Sequence, residues 1–333
     1  MNGSRGDLLG HGNPPVQIAS MMTGRRADLG EITERRGGVD AWTQHIRPPM
    51  LTPAQKDQWL RDGYAVLPDF KPPAETAAAC RRARELVEAF EPDAGASRFS
   101  TRDRSLVADA TLLASAETVR CFFEEEALDD QGRLRVPKSQ SINKIGHALH
   151  DLEEVFIAFS HGPALAELGR DLGLLQPQVW QSQLIFKQPR IGGEVGWHQD
   201  GTFFVTTPQT VTTFWFALED ATPDNGCLWV EPGGHRGPRG VLREQYVCDH
   251  AAGRLRMQAL DATPWPDAAR AVALPVAAGT LVVFHGLLPH YSGPNRSARS
   301  RLAYTLHATD ASAAYAAQNW LQRSAALPVG GLA

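Results

Sequence analysis

Cysteine is scarce in this chain of 333 residues: Cys80, Cys121, Cys227 and Cys248 stand far apart, with no C-x-x-C pair among them. That spacing excludes a zinc ribbon and a secreted disulfide framework, so a reducing, cytoplasmic compartment is expected. Positive charge is not in excess either. With 33 Lys and Arg against 37 Asp and Glu, the net charge is −4, which leaves no field to recruit a phosphate backbone or an anionic lipid surface. Neither nucleic acid nor membrane is expected as a partner. No run approaches the roughly 20 apolar residues of a bilayer span, and the N-terminus lacks the charged-then-apolar pattern of a signal peptide. H-E-x-x-H, G-x-S-x-G and G-x-x-x-x-G-K are missing as well, which excludes the simplest zinc-peptidase, serine-hydrolase and phosphate-loop readings. What is present is ordinary for a folded enzyme: 43% hydrophobic and 21% charged residues, enough to bury a large core without covalent staples.

Residues 1–50 mix Gly, Pro, Arg and polar residues without a sustained period and are expected to form an extension with no core of its own. Residues 51–333 are expected to form one domain. Order should begin at Thr52-Pro53-Ala54-Gln55, where a capping hydroxyl, a proline at the first helical position and a glutamine three residues on make a helix start. After that helix, ending near Arg61, Tyr64 to Leu67 reads as a short strand. Pro72-Pro73 then opens a second helix to Phe90, with Ala77, Cys80, Ala83, Leu86, Val87 and Phe90 on one stripe. From Val179 the texture turns to short β-like runs: Val179–Phe186, Val211–Leu218, Cys227–Val230, Leu281–Phe284 and Leu302–His307. Asp224-Asn225-Gly226 reads as a hairpin signal, and Arg236 to Ala273 as a long irregular stretch. The expected fold class is mainly β with flanking helices: a jelly-roll core behind an N-terminal helical layer.

The sharpest local feature is Trp197-His198-Gln199-Asp200. In extended chain, His198 and Asp200 project to one face while Trp197 and Gln199 project to the other. An imidazole and a carboxylate at that spacing supply two members of a 2-His-1-carboxylate triad, which leaves one face of an iron ion open. The third member must come from a distant strand. His285 and His290 both qualify, and spacing does not choose between them. A 2-oxo acid chelating such an iron needs a cation for its far carboxylate. Arg301, at the start of a strand, offers a guanidinium fork for it, with Arg299 and Arg296 close by.

Several separated motifs in order resemble the phytanoyl-CoA dioxygenase family of iron(II)- and 2-oxoglutarate-dependent oxygenases. They are Asp62-Gly63-Tyr64, Ser141 to His150, Phe186-Lys187-Gln188-Pro189, His198-Gln199-Asp200, Asp224 to Leu228, Pro232-Gly233-Gly234-His235 and the stretch from His285 to His307. The resemblance covers about residues 55–325, and Ser141 to His150 with Phe122-Phe123-Glu124 is especially similar to the branch called phytanoyl-CoA dioxygenase domain-containing protein 1. It implies a double-stranded β-helix (cupin-like) core and iron bound by His198, Asp200 and His290. It further implies 2-oxoglutarate anchored on Arg301, with Lys144, Gln183 and Trp215 as further cosubstrate contacts, and dioxygen as oxidant. Gln183 stands where the family commonly has methionine, and Gly234 where it has serine. The implied reaction is hydroxylation of an aliphatic carbon of a small molecule, whether acyl-CoA, free acid or secondary metabolite. Retention of Asp200 argues against halogenation, which needs a vacated carboxylate position. A cupin-like protein that binds a metal or ligand without oxygenase activity is the alternative. His147 and His150 are expected near the substrate pocket, and His235 is expected to fix its turn.

Overall fold

The computed structural model describes residues 49–91, 98–99 and 109–333. The extension expected at 1–50 lies outside the described residues except for Pro49 and Met50.

The N-terminal helices begin as their capping residues dictate. Helix α1, Pro53–Asp62, carries a full capping box: Gln55 N donates to Thr52 Oγ1, and Thr52 N donates back to Gln55 Oε1 at 2.9 Å. Gly63 closes it in the left-handed region at φ 81°, where its missing side chain also matters because a Cβ would fall 2.4 Å from the His235 ring. Helix α2, Pro73–Ala89, buries Thr76, Ala79, Cys80, Ala83 and Val87. Ala77, expected on the buried stripe, is exposed. Its place is taken by Ala79, because the buried face is rotated from the one assigned. Helices α3 Asp109–Ala114, α4 Leu149–Leu152, α5 Glu154–Ser160 and α6 Pro163–Asp171 follow. Among the described residues no helix is long and apolar enough to cross a membrane.

The strands are β1 Tyr64–Leu67, β2 Arg98–Phe99, β3 Val119–Glu124, β4 Ile142–His147, β5 Pro177–Lys187, β6 Val195–His198, β7 Thr206–Thr207, β8 Thr212–Ala217, β9 Leu228–Val230, β10 Glu244–Asp249, β11 Arg254–Ala259, β12 Val272–Leu274, β13 Leu281–His285, β14 His290–Ser292, β15 Arg301–Asp310 and β16 Ala314–Tyr315. Eight of them form a large sheet in the order β1-β13-β8-β15-β5-β4-β3-β2, and four form a small one in the order β12-β9-β14-β6. Two-stranded pairs β10-β11 and β16-β7 complete the set.

The cores follow from this layering. One apolar cluster joins α1, α2, α5 and α6 to one face of the large sheet through residues such as Ala83, Phe156, Leu168, Phe214, Phe216, Leu302, Tyr304 and Leu306. A second joins the opposite face, at Trp215, Val282, Phe284 and Ala303, to Leu228, Val230 and Leu274 of the small sheet. Residues of strand β8 enter the two clusters alternately, as strand periodicity requires. Two sheets with a shared interior and helices on the outer face make the double-stranded β-helix expected from the sequence.

Two local expectations fail. Asp224-Asn225-Gly226 is not a hairpin turn: Pro223–Asn225 forms a short 3-10 turn on the crossover from β8 in the large sheet to β9 in the small one. The Asn225 side chain turns back onto Thr222 N and Asp220 O, so it stabilises the crossover rather than a two-residue loop. The stretch Arg236 to Ala273 is only partly irregular, since it holds β10, β11 and the start of β12. The β10-β11 hairpin is half exposed and rich in charge, so it lacks the apolar alternation that would reveal it. Strands β3 and β4, before Val179, also escaped sequence reading.

Candidate active site

Strand β6 delivers His198 at its last residue, and the chain then tightens into a 3-10 turn at Asp200–Thr202. Gln199, between them, points away from both. Its Nε2 donates to Val241 O and Leu287 O at 2.9 and 2.8 Å, and its Oε1 accepts from Arg243 N at 3.0 Å. One buried amide thus ties three segments together behind the turn. His290 opens β14 and is the cross-strand partner of His198.

These three side chains converge. His198 Nε2 and His290 Nε2 each lie 3.7 Å from Asp200 Oδ1, and one ligand atom from each residue lies within 4.8 Å of the others. The opposite nitrogens are already engaged: His198 Nδ1 meets Gly196 O at 2.8 Å, and His290 Nδ1 meets Leu288 O at 3.0 Å. A carbonyl can only accept, so each Nδ1 carries a proton, and Nε2 is the ring atom that each histidine turns to Asp200 Oδ1. The other carboxylate oxygen, Oδ2, accepts from Thr213 Oγ1 at 2.5 Å and has His307 Nε2 at 3.5 Å. Burial opposes the charge of Asp200, but His290, His307 and His198 around it hold the carboxyl well below its usual range. Two imidazoles and one carboxylate oxygen, oriented from behind, fit a divalent first-row metal ion.

His285 does not join them. At the end of β13 its Nδ1 accepts from Leu287 N at 3.0 Å, and its ring lies against Trp59 and His235. Burial and then His235 push it down to about 4. The choice that spacing left open falls geometrically on His290.

The convergence point opens into a pocket lined by every residue expected at the cosubstrate: Lys144, Gln183, Trp215 and Arg301. Arg301 is only 2% exposed, and burial pulls it down to about 10. Its Nε and Nη1 donate to Gly226 O and Ile185 O at 3.2 and 3.3 Å, and its guanidinium carbon lies 5.7 Å from the Trp215 ring centre. Among the described residues no carboxylate pairs with it. Gly226 is at φ 91° and a Cβ there would meet Gly293 O at 2.8 Å, so only glycine brings that carbonyl to Arg301 without strain. Lys187 shows the contrast. It is equally buried, but its ammonium donates to the carbonyls of Gly193, Ser292 and Gly293, so all three of its donors are spent on backbone. A buried guanidinium without an anion fits a carboxylate ligand. Arg296 and Arg299 are exposed.

His147 lines the pocket, whereas His150 sits outside its lining, bonded to Ser182 Oγ at 2.8 Å and 3.1 Å from Asp151, which pairs with Arg323. His235 packs beneath Gly63. Thr213 and His307 escaped sequence reading. Strand parity would have found His307: once Arg301 faces the pocket, Thr305 and His307 share its face, and all three line it.

The family model for phytanoyl-CoA dioxygenase matches residues 59–303. The chain is 43% identical over 278 residues to phytanoyl-CoA dioxygenase 1 of Oryza sativa subsp. japonica, covering 82% of this chain and 94% of that protein. It is 41% identical over 285 residues to phytanoyl-CoA dioxygenase domain-containing protein 1 of Bos taurus, covering 84% and 97%. Its fold is similar to that of the non-heme alpha-ketoglutarate-dependent carbocyclase SnoK from nogalamycin biosynthesis, with a TM-score of 0.57 at 19% identity over 85% of this chain and 98% of that one. A match of that extent, over the stretch that carries the converging His-Asp-His cluster, places the chain in the phytanoyl-CoA dioxygenase family of iron(II)- and 2-oxoglutarate-dependent dioxygenases.

Proposed function

We propose that the protein hydroxylates an aliphatic carbon of a small-molecule substrate, with iron(II) held by His198, Asp200 and His290 and 2-oxoglutarate anchored on Arg301. The observation that carries this reading is the direction of the polar atoms. Both histidine Nδ1 atoms and Asp200 Oδ2 are engaged behind the site, while two Nε2 atoms and Oδ1 are left facing one another at the floor of a pocket that also holds an unpaired guanidinium. When bound, iron(II) with 2-oxoglutarate and dioxygen supplies the oxidation, in which the 2-oxo acid becomes succinate and carbon dioxide and the substrate C–H becomes C–OH.

The chain's own contribution is positioning. Thr213 and His307 occupy Oδ2 and leave Asp200 to act through Oδ1. Arg301 offers its fork to the distal carboxylate, beside the Trp215 ring, with Lys144 and Gln183 on the same wall. Phe203, Phe204 and Trp320 keep the opposite wall largely apolar, which excludes water and strengthens each polar contact inside.

Incubation with iron(II), 2-oxoglutarate and candidate substrates under labelled dioxygen tests the reading. Succinate should form only with iron, and the alcohol oxygen should carry the label. A barrel that merely holds a metal or ligand would give no succinate, and unlabelled product would overturn the hydroxylation.

A further inference from the structure

The pocket runs along β15, and its two ends are built from different parts of the chain. Arg301, at one end, is the first residue of that strand; His307, whose Nε2 lies 3.5 Å from Asp200 Oδ2, comes six residues later, about 20 Å of extended backbone away. Register carries this axis across the sheet, since Gln181 of β5 pairs with His307 and His147 of β4 pairs with Ser182. A 2-oxo acid that reaches from the metal triad to Arg301 fills the first stretch and leaves the end beside His147 and Gln181 for a substrate.

That end is closed by a residue from outside the barrel strands. Trp320 lines the pocket, is only 4% exposed, and stands edge-on to His147 with 5.1 Å between ring centres. Trp180, Cys248 and Leu321 share its buried apolar cluster, so the indole backs onto core rather than solvent. The segment that carries it, residues 316–324, forms no helix or strand of its own and is held by side-chain clamps instead. Asn319, fully buried, grips the backbone of Val205 in the segment that follows Asp200: Val205 N donates to Asn319 Oδ1 at 2.9 Å, and Asn319 Nδ2 donates to Val205 O at 3.0 Å. Arg323 pairs with Asp151 at 3.0 Å and donates to Trp180 O at 2.8 Å. The Tyr315 ring stacks on Trp180 at 3.6 Å, and its hydroxyl donates to Leu321 O at 3.0 Å. Clamped on both sides, Trp320 is a fixed wall and not a flap.

We propose that Trp320 is a specificity-determining residue that sets the greatest length of substrate, so that compact carbon skeletons are accepted and long chains refused. This rests on the reading above, in which 2-oxoglutarate takes the Arg301 end. The same lining carries a cation and an amide, Lys144 and Gln181, so polarity alone does not define what fits. A close-packed wall does define how far a skeleton extends.

The test titrates straight-chain primary alcohols, butanol to decanol, into the full chain loaded with iron(II) and 2-oxoglutarate under anaerobic conditions, with dissociation constants read by calorimetry. Each added methylene should tighten binding about fourfold while it is still buried, and the gain should stop at a wild-type limit where the chain meets the indole. In Trp320→Ala the limit should move to a longer alcohol, and the alcohol two carbons past the wild-type limit should bind roughly tenfold more tightly than it does to wild type. Trp320→Phe, which keeps a smaller ring in the cluster, should move the limit by a smaller step, and it carries the test alone if the alanine variant does not fold. An unmoved limit in the folded variants, a wild-type series without a limit, or no binding of any alcohol would overturn the proposal. Succinate release by the wild type under oxygen, with the same alcohols present, is read separately. If succinate forms while the limit ignores Trp320, the length inference alone falls; if none forms while the limit follows Trp320, the hydroxylase reading falls and the wall stands.

Discussion

Every residue of β15 is buried, yet its two faces belong to different parts of the molecule. Leu302, Tyr304, Leu306 and Ala308 enter the apolar cluster under the helices. Arg301, Thr305 and His307 line the pocket. On the helix face the one polar atom is answered, since Tyr304 Oη meets Ser160 Oγ at 2.7 Å. On the pocket face, among the described residues, Thr305 Oγ1 and His307 Nδ1 have no hydrogen-bond partner and no carboxylate pairs with Arg301. Burial alone therefore does not separate core from site. Along this strand, satisfaction of buried polar groups does, because the unanswered ones all lie on the face that lines the pocket.

Four tests by substitution press on that difference, beginning with the most severe. Replacing His198, Asp200 or His290 with Ala should abolish iron-dependent succinate formation while thermal melting persists near the parent value, since each change vacates a pocket position and little core volume. His285→Ala should keep iron binding. Full turnover in any of the first three, or loss of iron in the fourth, would break the assignment of faces.

On the helix side, Leu306→Ala should cost about 2–5 kcal/mol in denaturant unfolding, the usual range for a buried leucine. The half-saturating 2-oxoglutarate concentration of the folded enzyme should not move. If that constant shifts as much as stability does, the two faces are not separable.

Arg301→Ala should raise the half-saturating 2-oxoglutarate concentration roughly ten- to hundredfold, the equivalent of about 1.5–3 kcal/mol for a charge-assisted contact. Arg299→Ala, an exposed position two residues before the strand, should change it little. Similar effects at both would mean that general positive charge, rather than a buried fork, attracts the ligand.

The smallest change is expected from Thr213→Val, which keeps shape and removes the hydroxyl on Asp200 Oδ2. Iron affinity measured by competition with a chelator should fall about tenfold, the lower end for loss of a group that orients a ligand. Unaltered affinity would show that His307 alone suffices to hold the carboxylate.

The legible parts of this molecule were those written in local chemistry. The capping box at Thr52 and Gln55, the strand alternation around Trp215 and the two-residue step from His198 to Asp200 each express a rule that acts over a few residues. The choice between His285 and His290 was not local. It depends on β14 leaving the large sheet to pair with β6 after a tight turn, and only the family resemblance pointed to it. The hairpin of β10 and β11 was hidden because partial exposure on both faces erases the alternation that reading relies on. The crossover at Asn225 was misread because the same turn residues serve a hairpin and a change of sheet equally well.

If the proposed iron site holds, the cross-strand pairing of His198 with His290 would make metal binding a proofreader of assembly. Side chains alternate along a strand, so a slip of β14 by one residue against β6 would swing His290 to the far face and put Tyr291 in its place. A chain folded in that register could not chelate. Metal retention on a chelating column would then sort correctly zippered molecules from misaligned ones in a refolding mixture, and the ion would act as a selective clamp that makes the native pairing the one from which the chain escapes most slowly.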